Sequence, residues 1–175
     1  MPNLTIPRPA ASEFAPYYGR YISQVPDGNL LDQLEQQGRE TVTLLRGIDE
    51  KKSLYRYEAD KWSIRESIGH VIDAERVFTY RALTFARADA TPLPSFEQND
   101  WAAVSNAHGR SLADLIAEFQ AVRAATLALF RGFGEKEFAR AGTASNNPVS
   151  VRALAYIVAG HERHHVKILR EKYGV

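Results

Sequence analysis

The residues best equipped for chemistry crowd near the end of the chain, where Gly160 to His165 reads GHERHH and holds three of the five histidines. His161 and His165 are four apart. On a helix that spacing brings their Cβ atoms to about 5–6 Å and turns both imidazoles the same way. Two nitrogens so placed can converge on one ion at the roughly 2.0–2.1 Å that zinc prefers. His164 and Glu162 fall on opposite shoulders of that face and are weaker ligands. The alternative is a pair of core histidines, each of which would need its own buried hydrogen-bond partner. The same hexapeptide also satisfies H-E-x-x-H, with Glu162 in the position of a protease's general base. Zinc proteases of that kind take a third ligand from downstream, but only ten residues follow His165, and Glu171 is the sole acid among them. Their clefts also use strands, and no period-two alternation of strand length is present. The protease reading is rejected, and Glu162 is kept as a candidate base.

A tight site needs a third ligand, and His70 and His108 are available. His108, in NAHGR, reads as a surface-loop residue. His70, in ESIGHVIDAERVF, sits at the edge of an apolar stripe running from Ile64 through Ile68, Val71 and Phe78 to Phe85, and periodicity alone does not choose between the two. Gly69 and Gly160 each precede a histidine in mid-helix. A helical glycine costs about 1 kcal/mol relative to alanine, so the pair points to close helix approach or to room for a ligand. Glu75 lies near the centre of the stripe. It reads either as the partner of a buried arginine or as a carboxylate that orients a ligand or water, which makes it the second candidate for a catalytic role. Asp73 and Glu66 belong to the polar face.

Four helices must carry these side chains. The first begins at Leu30, with Leu31, Leu34, Thr41, Leu45 and Ile48 at helical spacing. The second starts at a capping box, Ser63 with Glu66 three residues later, and runs to about Arg87, roughly 35 Å at ~1.5 Å per residue. Ser111 caps the third, which Gly132 and Gly134 end. The fourth starts near Val149 or Ser150, after a polar loop containing Asn146, Asn147 and Pro148, and runs to about Lys172 with Gly174 as its C′ glycine. Its seam of Val151, Leu154, Val158, His161, His165 and Ile168 places the two imidazoles where aliphatic side chains are expected. An all-α four-helix bundle follows, occupying residues 29–175. Residues 1–28 hold five of the eight prolines together with Phe14, Tyr17, Tyr18 and Tyr21. They read as an extended arm, with room for a short helical turn, packed on the body.

Composition narrows the function. Net charge is +1, from 22 basic and 21 acidic residues mixed along the chain, without the basic stripe of a nucleic-acid protein. With no cysteine, any metal must use histidine or carboxylate ligands. There is no basic start followed by an apolar run, and no apolar stretch of eighteen residues. The expected setting is cytoplasmic, with no membrane partner and no nucleic acid.

With WSIRESIGHVIDAERVF, PLPSFEQNDW and AGHERHHVKIL, the chain resembles the DinB/YfiT-like metalloenzyme family from about Leu30 to Val175. The resemblance implies an up-down-down-up bundle, often a homodimer. It also implies a divalent metal, zinc or nickel, on His70, His161 and His165. Characterised members include thiol S-transferases using bacillithiol or mycothiol and a mycothiol-dependent maleylpyruvate isomerase. The expected function is therefore transfer of a low-molecular-weight thiol to a small electrophile, the sulfur coming from outside a cysteine-free chain. The alternatives are a hydrolase that uses metal-bound hydroxide, with Glu162 or Glu75 as base, and a non-catalytic metal- or ligand-binding stress protein.

Overall fold

The computed structural model describes residues 5–175, so the first four residues of the arm lie outside it. Each long helix begins where a polar side chain satisfies its first free N–H groups. Asn29 accepts from Leu31 and Asp32 to start α2, Leu30–Arg46. At Ser63 the capping box forms in both directions and opens α3, Ile64–Ala86. Ser111 accepts from Asp114 at the head of α5, Leu112–Arg131. Ser150 accepts from Ala153 to begin α7, Val151–Tyr173, which closes on Gly174 at φ 65°.

These four helices form the bundle. α3 packs on α7 and α5, and α2 packs on α5 and α7. Side-chain pairs fix their directions. Arg65 near the start of α3 reaches the Arg110 carbonyl just before α5, and Glu75 meets Arg123 halfway along both. The two helices therefore run parallel. Glu35 near the start of α2 pairs with Arg131 at the end of α5, and Tyr173 at the end of α7 donates to the Trp62 carbonyl just before α3. The result is the up-down-down-up order, in which the parallel α3 and α5 require the long connection of residues 87–111.

Three small elements depart from the sequence reading. Helix α4, Gln98–Val104, lies inside that connection, and α6, Glu135–Ala139, follows α5. The expected polar loop before α7 is a hairpin, with β1, Ala141–Ala144, antiparallel to β2, Asn147–Ser150. Four-residue strands are too short for alternation to register. Its Ser145–Asn146 turn takes positive φ at both residues, as two-residue hairpin turns do. A Cβ at Gly142 would stand 2.2 Å from the Phe85 ring, so the hairpin sits directly on the end of α3.

The arm forms more than one turn. Two 3₁₀ turns, Ala11–Glu13 and Pro16–Tyr18, lead into α1, Gly19–Ile22, which lies on α7. Glu13 forms a two-pronged ion pair with Arg152 at 2.6 Å, and the Tyr156 hydroxyl donates to the Ile6 carbonyl. Ile6, Tyr21, Ile22 and Val25 join the core at that end of the bundle. A separate cluster, built on Leu45, Ile68, Leu115, Phe119 and Leu169, fills the other end. Polar side chains lie between the two.

Candidate metal centre

The polar layer divides into an ionic part and a histidine part. Arg123 of α5 grips Glu75 with Nε and Nη2 at 2.9 and 2.8 Å, while its Nη1 meets Glu162 at 2.8 Å and the Leu34 carbonyl at 2.9 Å. Glu162 also accepts from Thr41 at 2.6 Å and from Gln37. One guanidinium thus joins α2, α3, α5 and α7. Of the two roles open to Glu75, the arginine pairing is the one present. Glu162 is not a shoulder residue but is 2% exposed, facing α2 and α5.

His70, His161 and His165 come together on the neighbouring face of α3 and α7. One ring nitrogen from each lies within 4.8 Å of the others, and the His70 and His161 Nε2 atoms are 3.1 Å apart. Two nitrogens bound tetrahedrally to one zinc ion stand about 3.3–3.4 Å apart, so this spacing fits a shared ion. The rival reading needs a buried partner for each ring. Among the described residues, His70 and His161 have only each other for a hydrogen bond, and His165 has none. A donor set of three imidazoles lacking other acceptors or donors is what a divalent ion would satisfy.

Burial keeps these rings neutral. It pushes His70 down to about 4. His161 and His165 are held well below the ordinary range, first by burial and then by the neighbouring imidazoles. His165 retains some surface at the rim of a cavity, yet its ring is as crowded as that of His161. His164 also lines that cavity and is lowered by burial and then by the charge of Arg20, but it is not one of the converging three. His108 is exposed on a 3₁₀ turn, Ala107–Gly109, far from the cluster in role and beside the Ser63 cap.

Several neighbours of the site escaped the sequence reading. A Cβ at Gly160 would fall 2.1 Å from the Tyr21 carbonyl oxygen. That glycine therefore makes room for the arm's own backbone. So seated, Tyr21 puts its ring edge-on to His161 and His164, each at 5.2 Å. Arg20 donates to the Tyr17 and Tyr21 hydroxyls. At Gly69, a Cβ would come 2.9 Å from the Ala107 Cβ, so there the close approach is the 107–109 turn. Trp62 covers His70 at 4.8 Å. Two cavities meet the histidines, one of about 440 Å³ reaching His164 and His165, the other of about 250 Å³ reaching His70 and His161. Neither Glu75 nor Glu162 lines them. Glu162 instead borders a cavity of about 440 Å³ between α2 and α7.

Known proteins give this arrangement its context. No curated protein matches the chain. Among solved structures, YfiT from Bacillus subtilis superposes with a TM-score of 0.67 at 14% identity, covering 96% of this chain and 94% of that one. It is described as a probable metal-dependent hydrolase with an unusual four-helix bundle topology. The family model of the DinB superfamily matches residues 33–169, which take in most of each of the four bundle helices and the three converging histidines. The chain belongs to the DinB superfamily.

Proposed function

We propose that the chain is a metal-dependent hydrolase of a small molecule, with a divalent ion held by His70, His161 and His165. The observation that carries this reading is the convergence of three imidazoles, two buried and one at a cavity rim, that lack other hydrogen-bond partners among the described residues. A divalent ion held there supplies a Lewis acid that polarises a carbonyl or phosphoryl oxygen and acidifies water. The imidazoles, already neutral at neutral pH, release no proton on ligation. Three protein ligands leave a position open, the arrangement of catalytic rather than structural sites, and the flanking cavities give a substrate access to it. The arm sets Tyr21 edge-on against His161, where it lines both cavities.

Glu75 and Glu162, the two carboxylates considered as bases, are given a positioning role. Tied to Arg123, they hold α3 and α7 at a fixed offset, and those helices carry the triad. Hydrolysis rather than thiol transfer is supported by the description of the structurally similar YfiT.

Elemental analysis of untagged protein tests the centre. About one divalent ion per chain is expected, lost on His70→Ala, His161→Ala or His165→Ala with helix content kept, and retained on His108→Ala. The same measurement identifies zinc or nickel. A panel of esters and amides, run beside a small thiol with a model electrophile, tests the reaction. Chelator-sensitive hydrolysis is expected. Chelator-sensitive conjugation would replace hydrolysis with thiol transfer, and the absence of a stoichiometric ion would remove both.

A further inference from the structure

Three arginines are buried among the described residues, and two have carboxylate partners: Arg65 with Glu50, and Arg123 with Glu75 and Glu162. Arg81, 3% exposed, has none. Its Nη2 donates to the Pro94 carbonyl at 2.6 Å and to the Ser145 hydroxyl at 3.1 Å. Nε and Nη1 have no acceptor among the described residues. Arginine cannot shed its charge in a protein, and a buried charge without a counter-ion is costly. A neutral amide could tie the same two loops together. The two remaining nitrogens are not sealed in the core, and the charge they carry is open to a partner that enters the adjoining cavity.

The surroundings say where that partner sits. Arg81 lines the 250 Å³ cavity whose wall also contains His70 and His161. Tyr18, Tyr21, Phe78 and Phe96 make that wall largely aromatic. Glu97 also lines it, with Oε1 capping α4 through the Asn99 N–H, and no ion pair joins it to Arg81.

We propose that this cavity is an oxyanion subsite for a small aromatic acid, whose carboxylate or phosphate is received by Arg81. A guanidinium fork offers an oxyanion charge-assisted, paired hydrogen bonds, and the aromatic side chains hold a flat ring. The oxyanion binding stands on Arg81 and the cavity. Only the further step, that the rest of the acid reaches toward His70 and His161 for hydrolysis, rests on the metal-hydrolase reading.

Titration of benzoate, phenyl phosphate and neutral benzyl alcohol into metal-free protein, followed by calorimetry and NMR, tests the subsite. At least one of the two anions binds and benzyl alcohol does not. The tighter anion identifies the acidic group. Arg81→Lys, which keeps a cation but loses the fork, weakens binding at least about tenfold, as expected for loss of a charge-assisted hydrogen bond. R81Q removes binding, while Ser145→Ala, which leaves the charge, binds as the parent does. Should R81Q fail to fold, the lysine variant decides. Parent-like affinity in Arg81→Lys, or benzyl alcohol binding as well as either anion, overturns the proposal. Metal content measured on each protein as purified, before the metal is stripped for the titrations, separates the two readings. A normally loaded protein without Arg81-dependent anion binding loses the subsite alone, and Arg81-dependent binding in a chain that takes no metal loses the hydrolase alone.

Discussion

Arg123 shows what a single buried residue does for the whole polar layer. Its one positive charge answers two carboxylates, Glu75 and Glu162, while it also reaches the backbone of α2. A buried ion cluster of this kind contributes little net stability against a well-packed apolar equivalent, but breaking it strands charges in a dry interior. Arg123→Met is expected to cost about 3–5 kcal/mol in denaturant unfolding. Glu75→Gln should cost less, because Arg123 then keeps Glu162 as counter-ion. Equal, small losses in both variants would show that water reaches the cluster. Gly160 makes the complementary case, since what matters there is the absence of an atom. Gly160→Ala places a methyl carbon against the Tyr21 carbonyl. Overpacking of this kind costs about 1–3 kcal/mol. The arm is expected to lift, which limited proteolysis within residues 5–28 would detect.

Among the elements, the arm is the one whose attachment is most open to pH. Hydrogen bonding to Arg152 lowers the Glu13 carboxyl from its ordinary value near 4.5 to about 2. A carboxylate lowered in the folded state contributes stability that is fully present above its unfolded pKa and lost as pH falls through the folded one. The arm's anchorage should therefore be intact at neutral pH and fade between about 4.5 and about 2. Glu13→Gln should melt lower than the parent at pH 7, with the gap closing over that window. A gap independent of pH would assign the loss to packing. The pair is partly exposed, so its contribution is screened and modest. The same element carries Tyr21 to the histidines, so loosening it should also open the histidine cluster to solvent.

For the whole molecule, the division of the core into two apolar clusters with a polar layer between them has a thermodynamic consequence. A ligand that binds only the folded chain stabilises it by mass action, about 2.7 kcal/mol at a hundred times its dissociation constant. Zinc or nickel added to metal-free protein is expected to raise the melting temperature, and His161→Ala should remove that rise while leaving the unligated melting point near that of the parent. Retention of the rise in His161→Ala would place the ion elsewhere. No helix among the described residues is long and apolar enough to cross a membrane.

Periodicity, caps and one glycine were enough to mark α2, α3, α5 and α7, because long amphipathic helices and their end signals are local in sequence. Ser63 with Glu66, Ser111 and Gly174 all act where they are written. The pairing of His161 with His165 is equally local, one helical turn. His70 is not. Its approach to His161 across ninety-one residues depends on how α3 meets α7, so the sequence offered it as a candidate third ligand without bringing it to the pair. The hairpin and α4 were too short to leave a periodic trace. Glu162 changed character for the same reason, since its burial comes from α2 and α5 and not from its own helix. Arg81 reads in sequence like any other arginine. Its lack of a counter-ion became visible only once residues 81, 94 and 145 stood together. What the chain's own order determined was the helices and one half of the histidine cluster. Which side chains share a buried space was decided by packing, which joins residues that no spacing relates.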